Sequence, residues 1–592
     1  MEYKDYVTSP LSVFDQIHGG SEELDKIDFI VEMQKVLQNH SSKVPLFGIA
    51  SLEQIPDGHL VRVVGMVQDM FNAELFMDSF RLSLNDSTTR SLRYRDFSCF
   101  ENSDDASPID VKFSERQSFY IVPVPGESPW VKEVRIKENE YTSPIITSGQ
   151  KRHLNEPMEV IHKKPKSTAM ETNPNQIKPR KHFPLIEEEN NDQKIGALLR
   201  VYDTVQTQLK INDIIEVYGI LEHARLCDAL PEDSCEPEEK CNEPLPRVHA
   251  LIVHSLQHNN PLLCNNVSVI SIGKNVNDIQ SVRIKLMKIL TTLFNGDEIV
   301  AEYLLLHLVS TRLTTDSQYP NHLPAMNIYA SRSITAKSLS NSNDSVDIDK
   351  YILSKLYNRL HNFLPQLVTH LATVKLTIKS LNDGPCLFPV RDMNKGHLNP
   401  GRLQLPQGTE ILVNEIEMDS GQLQEKGLLN FQALNSIAIH QRLLYDFQFY
   451  TQDWDTNVRV LILSIVPSLI KSTLLLPWEP ESFEDTENDL HSNISESELD
   501  DMRKYLTILS LSNENYSMDS ELQERINQDF VQWRRDKSTY IEADEFAIML
   551  CLLRFYCLTC GLQSPTLEHW LHIVELESKR KSRIALSKSQ TQ

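Results

Sequence analysis

Short apolar stretches, separated by turn residues, recur through the first half of the chain. They are rich in β-branched residues, which is typical of strands. The stretches are LVRVVGMVQDMF (60–71), QSFYIVPVPGE (117–127), GALLRVYD (196–203), DIIEVYGILEH (213–223) and PRVHALIVHSLQ (246–257). Several short strands in one region favour a small barrel or sandwich. We predict a β domain over residues 56–262, built as an OB-like (oligonucleotide/oligosaccharide-binding-like) barrel with insertions.

The second half of the chain changes to a pattern that mixes helices with strands. Apolar residues recur at helical spacing in 279–294, and 297–311 is apolar almost all round, which indicates a buried helix. A further helix is predicted over 349–371. The strand-like stretches between and after these helices are MNIYA (326–330), VKLTIKS (374–380), EILVNEI (410–416) and VRVLILSIV (458–466). The alternation indicates an α/β layer, which we place at 277–478.

The remaining segments complete a multidomain chain of α+β and α/β character. Residues 1–55 are predicted to be a short helical region, and 479–500 an acidic linker. A helical unit follows over 501–580, and 581–592 is a tail that starts with basic residues. The length of 592 residues agrees with roughly three to five domains.

Two polar insertions interrupt the β domain, and we expect both to be disordered because they lack apolar periodicity. The acidic insertion is 228–244, and the longer one, 140–195, carries runs of basic residues. These runs favour a nuclear localisation signal, with a nucleic-acid-binding tail or a solvated linker as alternatives. The basic residues concerned are Lys163, Lys164, Lys166, Lys178, Arg180 and Lys181.

Composition narrows the choice of compartment and partner. The formal net charge is −23, which disfavours general DNA binding, because that depends on Lys and Arg neutralising phosphates. It favours solubility and basic protein partners. The nine cysteines have no framework spacing, as expected in a reducing compartment. No stretch of about 18 uncharged apolar residues occurs, so we expect no membrane span. Together with the basic runs, this predicts a nuclear protein.

One segment resembles a phosphate-binding P-loop that has lost its glycines. A P-loop has the pattern G-x-x-x-x-G-K-[ST] after a strand. Here Lys337 and Ser338 occupy the last two positions, while Ser331 and Ala336 replace the glycines. Phosphates require close approach of backbone amides, which side chains at these positions resist. We therefore expect no working nucleotide site. The alternative is an ordinary surface loop.

The other candidate sites for metal or nucleotide binding also lack the residues that they would need. The strand at 410–416 ends in Asn414 and Glu415, where a Walker B strand would supply an Asp for Mg²⁺, and Asn lacks the charge a hard cation prefers. Cys557 and Cys560 lack a second ligand pair and are expected to be core thiols. His249 and His254 fall on opposite faces of a strand. We predict no catalytic residues, no cofactor and no metal site.

Several stretches, in the same order along most of the chain, resemble the mini-chromosome maintenance (MCM) complex-binding protein family. The most specific of them is SFYIVPVPGESPWVKE (118–133). The others are LKINDIIEVYGIL (209–221), LQHNNPLL (256–263), GDEIVAEYLLLHLVST (296–311), GRLQLP (401–406), QGTEILVNE (407–415) and DFVQWRRD (529–536). Within the first stretch, Trp130 and Lys132 are our candidate interaction surface, with Trp130 as an exposed anchor. The alternative is a Trp130 that packs against the barrel.

The resemblance implies a fold and a function. The family is similar to the MCM helicase subunits, so 277–478 is expected to be a degenerate AAA+-like ATPase domain and 501–580 its helical lid. It implies a non-catalytic partner of MCM subunits that regulates assembly or unloading of the complex from chromatin during replication and supports sister-chromatid cohesion, with chromatin reached indirectly. Two alternatives remain open. One is a residual ATPase that uses Lys337, Ser338 and Glu415, and the other is a single-strand DNA-binding protein that uses Phe119 and Tyr120.

Overall fold

The computed structural model describes most of the chain outside the insertions. The described residues are 3–17, 24–47, 55–81, 90–96, 109–140, 196–202, 208–223, 245–263, 276–312, 321–330, 345–394, 396–481, 494–512, 516–536 and 540–589. The basic runs of the 140–195 insertion, the acidic loop 228–244 and the glycine-less P-loop at 331–338 lie outside them. The described part is a mixed α/β structure with several sheets, as predicted for a chain of α+β and α/β character.

Thirteen α-helices belong to the described residues. They are α1 (Tyr3–Thr8), α2 (Pro10–Ile17), α3 (Leu24–His40), α4 (Pro129–Glu138), α5 (Val276–Leu293), α6 (Glu298–Leu308), α7 (Ser345–Leu367), α8 (Ile378–Asp383), α9 (Glu425–His440), α10 (Glu496–Leu511), α11 (Ser520–Arg535), α12 (Ala543–Thr559) and α13 (Leu567–Ser589).

Sixteen strands accompany these helices. They are β1 (Leu60–Met70), β2 (Glu74–Arg81), β3 (Arg90–Ser91), β4 (Ile109–Val122), β5 (Ala197–Val201), β6 (Ile214–Glu222), β7 (Arg247–Ser255), β8 (Ala325–Ala330), β9 (Leu371–Lys375), β10 (Val390–Asp392), β11 (His397–Asn399), β12 (Glu410–Asn414), β13 (Arg442–Asp446), β14 (Thr451–Asp455), β15 (Arg459–Ser464) and β16 (Leu474–Trp478).

The first seven strands form one sheet that closes on itself. Their order is β1-β6-β7-β5-β4-β2-β3, and a further pairing of β1 with β4 closes five of them into a ring. The pairing of β5 with β7 is parallel, and the other pairings in the ring are antiparallel. Alternate residues of the strands fill the interior, including Val61, Val63, Phe119, Ile121, Leu199, Val217 and Val248. We call this structure the barrel.

The N-terminal helices belong to the barrel rather than to a separate unit. Phe14 of α2 and Phe29 of α3 are buried against Tyr94, with ring centroids 5.3 Å and 6.5 Å away. Tyr94 in turn contacts Tyr202 next to β5, at 5.0 Å between centroids. The segment predicted as a small helical region is therefore packed on the outside of the barrel through aromatic side chains.

A five-stranded parallel sheet forms the centre of the second half. Its strand order is β16-β8-β15-β12-β9. Because side chains alternate between faces of a strand, Leu412 and Leu461 face one hydrophobic core, and Ile411 and Val460 face another. The first core contains α5, α6, α7 and also α10 to α13, and the second contains α8 and α9. As predicted, α6 is buried nearly all round.

Four short strands form a third sheet, in the order β11-β10-β13-β14. It consists of two antiparallel hairpins joined by a parallel pairing of β10 with β13. One hairpin lies between β9 and β12 in the chain, and the other between β12 and β15.

The C-terminal segment departs from the expected tail. Helix α13 continues to Ser589, so most of 581–592 is helical. Arg580 donates to Leu475 O at 3.2 Å, and Arg583 donates to the Asp297 carboxylate at 2.7 Å. These contacts fix the basic end of the helix against the edge strand β16 and the start of α6.

Candidate functional site

The stretch that contains Trp130 and Lys132 forms a joint between the barrel and the parallel sheet. Pro129 occupies the first helical position of α4, where its fixed φ favours a helix start. Trp130 is only 5% exposed, and its Nε1 donates to Val368 O at 3.1 Å. The guanidinium of Arg503 lies 4.5 Å from the indole centroid. The prediction of an exposed Trp130 anchor is therefore wrong, because the indole is buried and hydrogen-bonded within the molecule. Lys132 is half-buried.

Polar side chains complete this joint. Asn259 donates from Nδ2 to the Glu127 carboxylate at 2.9 Å and to His370 Nε2 at 2.7 Å, while Arg135 donates to Asn259 Oδ1 and to Glu127. Burial, with Arg135 and Arg459 nearby, lowers the pKa of His370 to about 3. The imidazole is therefore neutral and accepts the Asn259 hydrogen bond at Nε2.

The next residue extends the joint to the C-terminal helices. Asn260 donates from Nδ2 to Thr507 Oγ1 at 2.9 Å and to Arg503 O at 3.2 Å. The two stretches 118–133 and 256–263, which carry the family resemblance, thus connect the barrel, the parallel sheet and α10. The side chains of Trp130, Asn259 and Asn260 make hydrogen bonds within the molecule.

Two backbone segments pair directly at the joint, as an antiparallel bridge between Glu127 and His370. Leu371 N donates to Gly126 O at 2.7 Å, and Ser128 N donates to Thr369 O at 2.9 Å. Gly126 has φ +67°, and a Cβ there would lie 2.8 Å from Leu371 O. Only glycine tolerates both the left-handed backbone and the close approach.

A second contact fixes the barrel against the β10–β11 hairpin. Gln68 donates to Leu398 O at 2.9 Å, and Gln404 donates to Gln68 O at 2.9 Å. The Asp69 carboxylate accepts from Leu398 N at 2.8 Å and from Arg391 at 3.3 Å. Burial raises the pKa of Asp69, although the Leu398 amide and Arg391 act in the opposite direction. The barrel is therefore held to the α/β part at two separate places.

The carboxyl edge of the parallel sheet is where an ATPase of this architecture would hold its nucleotide. Asn414 ends β12, and its Oδ1 accepts from Ile416 N at 3.1 Å. The Glu415 carboxylate accepts from Ser468 Oγ and from Leu469 N, the latter at 3.1 Å. Burial raises the pKa of Glu415 despite these two donors. Both predicted residues thus lie at this edge and are engaged in turns of the chain.

A neighbouring strand completes this network. Asn327 of β8 accepts from Ser468 N at 3.0 Å and donates to Ser464 Oγ at 2.8 Å. Side-chain hydrogen bonds therefore join the middle of β8 to the end of β15 and to the 468–469 turn that holds Glu415 after β12. A Mg²⁺ site requires carboxylate oxygens directed at the cation, whereas both oxygens of Glu415 already accept hydrogen bonds. Ser331, Ala336, Lys337 and Ser338 lie outside the described residues.

One cluster in the barrel contains residues of the types that bind metals, but positively charged arginines surround it. Atoms of Asp96, Glu222 and His249 lie within 4.8 Å of one another. The Asp96 carboxylate accepts hydrogen bonds from three guanidinium groups, those of Arg116, Arg200 and Arg247. A divalent cation there would face three positive charges. The arrangement is an internal ion-pair network, and it was not predicted because its members are distant in sequence.

The cysteine and histidine residues that were considered as metal ligands do not form a metal site among the described residues either. Cys557 is fully buried in α12, as predicted for a core thiol, and burial raises its pKa to about 12. Cys560 is half-buried at the end of the same helix. His254 lies exposed near the end of β7, whereas His249 is buried.

Within the part of the chain that the structure describes, no helix is long and apolar enough to cross a membrane.

Comparison with known proteins identifies the family. Relatives called mini-chromosome maintenance complex-binding protein are 28% identical in Gallus gallus and in Homo sapiens, and each alignment covers 99% of this chain and 98% of the relative. The relative of that name in Arabidopsis thaliana is 28% identical, over 92% of this chain and 91% of its own length. The family model described as mini-chromosome maintenance replisome factor matches residues 33–584. The chain belongs to this family.

Proposed function

We propose that this chain is a non-catalytic binding partner of the MCM helicase complex. The observation that carries the proposal is its collinear similarity, over nearly the whole length, to proteins named for binding that complex. The internal use of Trp130, Asn259 and Asn260 is compatible with a rigid scaffold whose binding surfaces lie elsewhere.

The topology supports a subunit-like shape. The closed ring, with one parallel pairing between its third and fifth strands, is consistent with an OB-like barrel. In the parallel sheet, β8 leads into the segment with Lys337 and Ser338, and β12 ends in Asn414, with β15 between the two strands. A P-loop ATPase likewise places its phosphate loop and its Walker B acid at the carboxyl ends of such strands. We therefore infer an AAA+-like domain over 277–478.

We further propose that this domain does not turn over ATP. The P-loop glycines are replaced, and Glu415 is held by the 468–469 turn. The rival view is a residual ATPase. Equilibrium binding of Mg·ATP to the purified chain distinguishes them, with Lys337→Ala as the matched variant. We expect weak binding that the substitution leaves unchanged; tight binding that Lys337→Ala abolishes would establish the rival view.

A protein that has the shape of an MCM subunit but does not hydrolyse ATP can regulate the ring. By occupying a surface that ring subunits present to one another, it blocks ring closure and so regulates assembly or unloading of the complex. This is the role that we propose around replication and sister-chromatid cohesion. Its net charge of −23 supports indirect chromatin association, through the helicase and not through DNA.

The experiment that tests partner choice is a pull-down of the tagged chain from nuclear extract, with Mg·ATP and without it. Recovery of MCM subunits in both conditions supports a scaffold that acts without nucleotide. If no MCM subunit is recovered in either condition, the proposed function is wrong.

Nuclear localisation is a separate proposal. We expect the basic runs at 162–166 and 178–182 to act as a localisation signal. Replacing Lys163, Lys164 and Lys166 together with Lys178, Arg180 and Lys181 by Ala should move a fluorescent fusion of the chain to the cytoplasm. Nuclear accumulation equal to that of the unmodified fusion would contradict the assignment.

A further inference from the structure

The two hairpins of the four-stranded sheet direct their turns the same way. In the parallel pairing of β10 with β13, Val390 lies opposite Asp446, the last residue of β13. β10 therefore continues past the end of β13. Met393 and Asn394, which follow β10, and the turn 447–450 of the second hairpin extend from the same end of the sheet. We call Met393, Asn394 and the turn 447–450 the paired tips.

The paired tips expose large apolar side chains. Phe449 is 86% exposed, Tyr450 is 59% exposed and Met393 is 43% exposed. Phe449 is the most exposed large hydrophobic residue in the described part of the chain. Isolated exposed apolar residues are common on protein surfaces, but Phe449 and Tyr450 are adjacent on one turn, and exposed aromatic side chains are typical of the anchors that dominate protein interfaces.

The second tip is held in one conformation. Phe447 N donates to Tyr450 O at 2.9 Å, and Gln448, with φ +65°, donates from its backbone N to Asp446 Oδ1 at 2.8 Å. The rings of Phe447 and Tyr450 stack with centroids 5.0 Å apart. This geometry directs Phe449 into solvent on a defined turn.

The base of this hairpin is anchored in the molecule. The Tyr445 hydroxyl accepts from Asn212 Nδ2 at 2.9 Å, which joins the hairpin to the barrel. Tyr445 is buried and contacts Trp454, with ring centroids 5.5 Å apart. A preordered anchor loses little conformational freedom on binding, so most of its contact energy contributes to affinity.

The charge of the second hairpin favours a protein over a nucleic acid as its binding partner. The hairpin 442–455 contains one basic residue, Arg442, which pairs with Asp455 at 3.5 Å. It also contains Asp446 and Asp453, and Asp453 is exposed on β14. Stacking of nucleic-acid bases on aromatics is accompanied by Lys and Arg that follow the phosphates, and this hairpin offers the opposite charge.

We propose that the paired tips are a docking surface for a folded protein, in which Phe449 and Tyr450 enter an apolar cleft whose basic rim faces Asp453. The inference rests on the proposed function, since it assigns this contact to an MCM subunit. It locates the binding surface at the end of the sheet β11-β10-β13-β14 and not at Trp130, which is buried.

The test uses the purified full-length chain and purified MCM subunits in biolayer interferometry without nucleotide. The variants are Phe449→Ala, the double variant Phe449→Ala/Tyr450→Ala, and Asp453→Lys. The matched control is Phe113→Ala, which removes a 64% exposed phenylalanine from β4 of the barrel sheet. Thermal unfolding of each variant verifies the fold.

We expect the double variant to raise the Kd roughly thirtyfold, as for a hot-spot anchor. The single variant and Asp453→Lys should show smaller losses, and Phe113→Ala should bind like the wild type. Wild-type affinity in the double variant overturns the docking surface and leaves the proposed function intact. Failure of the wild type to bind any subunit overturns both. Loss of single-strand oligonucleotide binding in the double variant, with subunit binding retained, also overturns the docking surface in favour of a nucleic acid.

Discussion

Two glutamates at opposite ends of β12 have pKa shifts of opposite sign. Burial alone would raise the pKa of Glu410. Its carboxylate lies 3.0 Å from His307 Nε2 and 3.0 Å from Arg459 Nε, and these two partners lower the pKa by more than burial raises it, so the net shift is downward. Burial of Glu415 raises its pKa, and hydrogen bonds from Ser468 and Leu469 offset this only in part. One glutamate therefore stabilises the fold as an anion, whereas the other is harder to ionise in the folded state than in the unfolded state.

Glu410→Gln leaves Arg459 buried without its carboxylate partner and should lower the free energy of unfolding by about 3–5 kcal/mol at pH 7. Because the folded pKa is depressed, the contribution is complete above the unfolded value of about 4.5 and is lost as the pH falls through the folded value. Urea unfolding at several pH values measures both effects. Glu417→Gln, in an exposed pair with Lys375, is the control and should change little.

Glu415→Gln keeps an acceptor for the Leu469 amide and removes a partly desolvated charge. Because the folded pKa is raised, the wild type loses stability as the pH rises from about 4.5 through the folded value. The variant should therefore match or exceed the wild type at pH 7, and the difference should shrink below pH 4.5. A large loss of stability at pH 7 would show that the charge itself holds the 468–469 turn.

Some residue positions were predictable from the sequence, and others depended on distant parts of the chain. The pattern EILVNEI placed Asn414 and Glu415 at a strand end, where the structure has them. The helix that starts at Pro129 was not predicted, and the direction of the Trp130 side chain is decided by the carbonyl of Val368, 238 residues away in sequence. No local pattern carries that information.

At the scale of elements, the apolar barrel strands were the most predictable. The stretch 213–223 corresponds to β6 and 246–257 to β7, within one or two residues at each end. VKLTIKS (374–380) was wrong as a strand: β9 ends at Lys375, and Thr377 caps α8 by accepting from Ser380 N. This capping overrides the β propensity of an apolar stretch.

The element-scale prediction compares two glycines of similar backbone conformation. Gly58, with φ +76°, has open space where a Cβ would be, whereas at Gly126 a Cβ would meet Leu371 O. Gly58→Ala should cost only the left-handed backbone penalty, about 1–2 kcal/mol. Gly126→Ala should cost clearly more, because it also separates the two paired backbone segments. Equal losses in denaturant unfolding would show that the pairing adds no constraint.

At the scale of the whole molecule, the helical unit and the parallel sheet share one core. Leu461 of β15, Leu506 of α10, Leu553 of α12 and Trp570 of α13 belong to the same hydrophobic cluster. Sequence patterns identified both regions but placed a boundary at 479–500, because an acidic segment marks a break in polarity and does not report which surfaces pack together. The C-terminal helices should therefore unfold with the sheet.

The whole-molecule prediction uses two neighbouring residues of α13. Trp570 is fully buried and donates to Asp529, whereas Leu571 is 51% exposed. Trp570→Ala should destabilise the shared core by about 3–5 kcal/mol. Hydrogen exchange should then speed up in β8, β12 and β15 as well as in the helices. Leu571→Ala should leave exchange unchanged. Faster exchange confined to α10–α13 would indicate an independent helical domain.

Our proposed function requires that this chain binds MCM subunits without using nucleotide. The most direct measurement is light scattering after size-exclusion chromatography of the purified chain mixed with purified MCM subunits, with no nucleotide present and with wild type and Lys337→Ala in parallel. We predict a stable complex of the same mass for both proteins. A complex that fails to form without ATP, or that Lys337→Ala abolishes, would contradict it.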